Sequence, residues 1–195
     1  MSLLSIFSRG IDCPFPLVPR WDAPAASADV RIAWGPAYRV DKKARQGCRF
    51  LEDGTLEYLW SGEARYRIGA DQIRIDPIGE PELPAVRESL LGPMLAYCMH
   101  LRGDLVLHAA GLVTPRGEGL LLLGHSGMGK STLSARALAM GARLVNEDIV
   151  ILRQGEEGWW MEPGWPVMRL DAALADPLGM VPIPEIAVSG SPKRA

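Results

Sequence analysis

The chain has 195 residues, a length that suggests one domain or one domain with a small appendage. An apolar fraction of 48% excludes a disordered chain, and no apolar run approaches the roughly 18 residues that a membrane span needs. Twenty-one basic and 23 acidic side chains leave a net charge of −2, which excludes a bulk electrostatic footprint for nucleic acid.

In chain order, the first 30 residues carry Pro14, Pro16, Pro19 and Pro24 and read as an irregular arm running over the surface. The opening stretch Met1–Phe7 is too short, and lacks the basic residues, for a signal peptide. Cys13, Cys48 and Cys98 show no metal-ligand spacing and read as reduced, core-filling thiols of a cytoplasmic protein. From Val30 to about Ile78 the period is short. Asp53-Gly54 marks a turn between two apolar runs, and Tyr66–Ile68 and Ile73–Ile75 alternate like a half-buried antiparallel pair. Residues 1–79 are therefore expected to form a small β-rich N-terminal module.

Val86, Leu90, Met94, Tyr97 and Leu101 then recur at helical spacing over 82–101, with Pro84 in the first turn, a kink at Pro93 and a stop at Gly103. Leu105–Val113 and Leu120–Leu123 are apolar runs of strand length, joined by a turn at 114–119. Lacking polar alternation, they predict strands buried on both faces. A helix is expected over Lys130–Met140, and Arg143–Val145 and Ile149–Leu152 flank the polar triplet Asn146-Glu147-Asp148. Strand, glycine-rich loop, helix and strand make the skeleton of an α/β nucleotide-binding core over 80–195, with a Pro/Ser/Gly-rich tail from about residue 181 that reads as disordered.

The chemistry is concentrated in Gly124-His125-Ser126-Gly127-Met128-Gly129-Lys130-Ser131, which matches G-x-x-x-x-G-K-[ST] between a predicted strand and a predicted helix. The glycines permit positive φ and let backbone N–H groups close on a polyphosphate. The helix N-terminus adds unpaired donors and a favourable dipole. Lys130 supplies a point charge for the β and γ oxygens, Ser131 a hydroxyl for Mg²⁺, and Ser126 and Thr132 further donors. His125, inside the loop, is expected to face solvent, with contact to a phosphate as the alternative. Glu147-Asp148, after the next strand, offers the two carboxylates that phosphoryl transfer needs, one for the metal and one for a proton; a solvated turn is the alternative. His108, within an apolar run, reads by itself as a satisfied core histidine. Trp159, Trp160 and Trp165 read as packing against the core rather than as a recognition surface.

Together, Leu107-His-Ala109, Leu120 through Leu133 and Gly141 through Asp148 resemble the catalytic core of HPr kinase/phosphorylase and its relatives. The likeness is greatest to the HPr-kinase-like proteins of peptide-modification and lasso-peptide gene clusters. It covers residues 80–175, including Met161-Glu-Pro-Gly-Trp-Pro-Val-Met-Arg-Leu170. The resemblance implies an α/β fold whose phosphate-loop core is of the phosphoenolpyruvate-carboxykinase-like type. It also implies an ATP- and Mg²⁺-dependent kinase that phosphorylates a serine of a small protein or peptide, and a homo-oligomer. Carried over by position, His108 becomes an active-site histidine near the phosphates, Glu147 the general base and Asp148 a Mg²⁺ ligand together with Ser131. Glu147 stands where the family has an aspartate. Family members continue into a glycine-rich signature loop and a further acidic ligand, whereas this sequence stops at Ala195. The expectation that follows is a fragment, or a degenerate nucleotide-binding regulatory module without efficient transfer.

Overall fold

In the computed structural model, which describes residues 2–18, 23–40, 45–125, 127–165, 167–170 and 175–180, the N-terminal segment is not an irregular arm. β1 (Ser2–Ile6) and β2 (Arg9–Cys13) form an antiparallel hairpin with Ile6 opposite Arg9. The prolines that suggested coil begin only at residue 14. Phe7 and Ser8 turn the chain with φ of 54° and 55°, a primed-turn geometry that Asn-Gly usually announces. Phe7 is fully buried, and that burial offsets the conformational cost.

β3 (Val30–Trp34), β4 (Gly47–Phe50), β5 (Leu56–Trp60), β6 (Ala64–Ile68) and β7 (Gln72–Pro77) complete a seven-stranded sheet in the order β1-β2-β3-β7-β6-β5-β4. β3 runs parallel to β2 and β7, and the other pairings are antiparallel. The predicted pair closes with Ile68 opposite Ile73. Tyr66, Ile68, Ile73 and Ile75 are buried on one face. On the other face register sets Arg74 opposite Arg67, Arg67 opposite Glu57, and Glu57 opposite Arg49, while Arg65 reaches Asp76 at 2.5 Å. At the start of β2, a Cβ on Gly10 would run into the Ser27 carbonyl group.

The helical period appears as α1 (Leu83–Ser89), a π-helical turn at Leu90–Met94, and α2 (Leu95–Leu101). Pro84 lies in the first turn, and the kink falls at Gly92-Pro93, where Gly92 leaves helical geometry. Val86, Leu90, Met94, Leu95 and Met99 are buried, and Arg87 Nε donates to the Pro16 carbonyl at 2.7 Å. The chain divides into two compact units, Met1–Gly103 and Asp104–Ala195, so these helices belong with the first unit and the division falls after Gly103 rather than at residue 80.

In the second unit, the run Leu105–Val113 is not one strand. It breaks at His108 into β8 (Leu105–Leu107) and β9 (Ala109–Val113), which enter different sheets. β9 lies between β10 (Gly119–Leu123) and β11 (Arg143–Asn146); β12 (Val150–Gly155) lies between β8 and β13 (Gly158–Met161). Every pairing in both sheets is antiparallel. At Gly111, on β9, a Cβ would stand 2.8 Å from Met161 Sδ and 3.2 Å from Val150 Cγ2, so the two sheets close tightly there. α3 (Lys130–Ala139) ends at Met140, followed by Gly141 with φ of 90°. Met168 and Leu170 are buried with Ala135 of α3 and Ala175, and Leu138, Leu144, Leu178 and Met180 pack around them.

The expected double burial fails for β10. Among the described residues it is an edge strand, and Leu120 and Leu123 are exposed. The tryptophans divide: Trp165 is buried, whereas Trp159 and Trp160 are exposed, and Trp159 helps line an open groove of about 390 Å³ with Val113, Leu121 and Met161. Cys13 and Cys98 are buried as expected, and Cys48 is exposed. The architecture is mixed α and β, and mostly sheet. No helix among the described residues is long and apolar enough to cross a membrane.

Candidate functional site

The glycine-rich loop leaves the C-terminal end of β10 and enters α3. Gly124, Gly127 and Gly129 all have positive φ, at 157°, 84° and 83°. At Gly127 and Gly129, open space surrounds the position a Cβ would take, so the glycines serve backbone conformation there. Gly129 caps α3 in the left-handed region, and the first helical N–H groups are left without helical acceptors. Lys130 is half-buried. Its Nζ donates to the Gly124 carbonyl at 2.7 Å and to the His125 carbonyl at 3.3 Å, so the cation is held over the loop. His125, Met128 and Thr132 are exposed, and Ser126 lies outside the described residues.

The next strand after α3 brings the acid pair to this end of the unit. Asn146 is fully buried and fixes the turn. Its Oδ1 accepts from the Glu147 N–H at 3.0 Å, and its Nδ2 donates to the Ile149 carbonyl. Glu147 is buried, and the Ser131 side chain is near enough to its carboxylate to lower its pKa. Burial raises its pKa above the ordinary glutamate value; Ser131 and the bond from the Arg169 backbone pull the other way. Asp148 has φ of 68°, an uncommon conformation for a residue with a Cβ, and its carboxylate is half-buried. The structure thus brings Ser131 near Glu147, and Asp148 follows Glu147 in the chain with its carboxylate on Arg169.

His108 is placed differently. It occupies the exposed bend between β8 and β9, and among the described residues no hydrogen bond or ion pair joins it to the loop or to the acid pair. It is not the satisfied core histidine that its apolar flanks suggested, because the chain changes sheet at that residue.

One residue in contact with the acid pair is not assigned a role by the sequence reading. The Arg169 N–H donates to Glu147 Oε2 at 2.7 Å, and its guanidinium Nη2 donates to Asp148 Oδ2. Met168 and Leu170, buried on either side, fix this segment against α3, and alternation along an extended chain turns Arg169 the other way. The only signal in the sequence was that apolar–Arg–apolar alternation.

Chemically, the arrangement offers hard oxygen donors from Ser131, Glu147 and Asp148 beside a helix N-terminus and a lysine. No group of three His, Cys, Asp or Glu side chains able to hold a metal occurs among the described residues. Few protein carboxylates suit a Mg²⁺ that keeps waters and shares substrate phosphates better than a cation needing a full protein cage. No protein-family model, curated protein or solved structure matches the chain. The likeness to HPr kinase/phosphorylase therefore rests on the residues quoted above.

Proposed function

We propose that this chain binds ATP with Mg²⁺ on a phosphate-loop core of the phosphoenolpyruvate-carboxykinase-like type and transfers the γ-phosphate to a serine hydroxyl of a small protein or peptide. The observation that carries this reading is the Ser131 side chain beside buried Glu147, one residue after Lys130 at the helix N-terminus. Positive-φ glycines, helix donors and a lysine suit a polyphosphate, and the acid pair stands next to them. When bound, Mg²⁺ would be held by Ser131 and Asp148 and would neutralise charge on the β and γ oxygens. Lys130 exchanges its two carbonyl acceptors for phosphate oxygens. Glu147 accepts the serine hydroxyl proton, a task suited by a carboxylate whose pKa burial has raised above the ordinary value.

The test is ATP binding and radiolabel transfer by the full chain to candidate serine peptides. Lys130→Ala is expected to abolish ATP binding, and Glu147→Gln to retain binding while losing transfer. A parent protein that binds no ATP refutes the reading. A second reading, a nucleotide-binding regulatory module without transfer, is favoured by the Arg169 guanidinium on Asp148, which occupies the proposed metal ligand. ATP binding that is lost in Lys130→Ala, with no turnover by the parent, selects it.

A further inference from the structure

Resting on the nucleotide–metal reading of this site, we infer that Arg169 is a positioning residue that makes divalent-cation binding depend on bound nucleotide. Its guanidinium bonds the Asp148 carboxylate, the group proposed to receive the cation, and its main-chain N–H bonds Glu147. The two contacts differ in kind. The backbone bond keeps Glu147 in place whatever side chain stands at 169, whereas the guanidinium supplies positive charge where a cation would sit.

A lone cation must displace that guanidinium and approach against its charge. A cation arriving with a polyphosphate brings anionic oxygens that compensate the charge and can accept the released guanidinium donors. The Arg169 segment is also anchored independently of the acids, through Met168 and Leu170 packed with Ala135. The side chain is about 40% exposed, so it can leave Asp148 without disturbing that packing.

The test uses the full chain and Mn²⁺ as a probe for the divalent site, read by electron paramagnetic resonance with and without a non-hydrolysable ATP analogue. Circular dichroism checks that each variant folds. The parent is expected to bind Mn²⁺ weakly alone and more tightly with the analogue. Arg169→Ala should tighten nucleotide-free Mn²⁺ binding on the order of tenfold, the scale of a lost charge-assisted bond, and narrow the gap between the two conditions. Arg169→Lys, which keeps the charge, should restore most of the gap. A merely structural role predicts weaker Mn²⁺ binding in both variants, and that result overturns the inference, as does an unchanged affinity. If Mn²⁺ binds no form of the protein even with analogue bound, the metal-dependent reading falls together with the inference. If Mn²⁺ binds the parent but Arg169→Ala has no effect, only the inference falls.

Discussion

Leu170 offers a direct test of how the second unit holds its acid pair in place. The side chain is 2% exposed and belongs to a small cluster with Met168, Ala135 and Ala175. Leu170→Ala removes three buried carbons, a transfer loss of about 2.4 kcal/mol at roughly 0.8 kcal/mol per methylene. The cavity adds about 24 cal/mol per Å³ that fails to collapse. Met168 and Met180 are unbranched and can fill part of the space, so the expected total is about 3 kcal/mol. For a unit of this size that lowers the unfolding midpoint on the order of 10–20 °C. Hydrogen exchange read by mass spectrometry localises the loss. Amides of α3 and β11 should exchange faster, while those of β5, β6 and β7 in the first unit keep their rates. A cost under about 1 kcal/mol, or equal loss of protection in both units, refutes the packing argument.

Gly10→Ala should destabilise the first unit by more than about 2 kcal/mol in urea denaturation, because the new Cβ meets backbone at Ser27 rather than a side chain that can swing away. Iodoacetamide on the native protein should alkylate Cys48 alone. Cys13 and Cys98 are buried, and burial pushes the Cys13 thiol up to about 11, so rapid labelling of Cys13 would contradict the hairpin that covers it. Glu147 has a raised folded pKa, so the native state binds its proton more tightly than the unfolded chain. Its contribution is fully present below the ordinary value of 4.5 and is lost as pH rises through the folded value. Relative to the parent, Glu147→Gln should therefore gain stability as pH rises from 4.5 through the raised folded value; a relative loss over that window contradicts burial as the dominant cause.

The sequence made some elements plain and hid others for identifiable reasons. The Val86–Leu101 stripe declared a helix because one face is buried at period 3.6, and Pro84 and Pro93 marked its first turn and its kink. The β6–β7 pair was legible because arginines alternate with buried residues. The β1–β2 hairpin was not, since Phe7-Ser8 carries no turn signature. Nothing in Leu120–Leu123 distinguishes a strand covered on both faces from one at an edge, because leucines read alike in either place. The loop glycines, Lys130 and Ser131 were found by motif, and Glu147 and Asp148 by their place after the following strand. Arg169 was missed because a guanidinium reaching back 21 residues leaves no local mark beyond the apolar–Arg–apolar alternation, which does not name its partner. His108 misled because its flanks are apolar on both sides, although they belong to two sheets.

The edge position of β10 has a kinetic consequence. The strand that delivers the glycine-rich loop is, among the described residues, hydrogen-bonded to a neighbour strand on one side only. Such a strand opens at lower free energy than β9 beside it. Any ligand that fastens the loop also fastens the end of β10, and occupancy can be heard at a distance as slower fraying of a strand the ligand never touches.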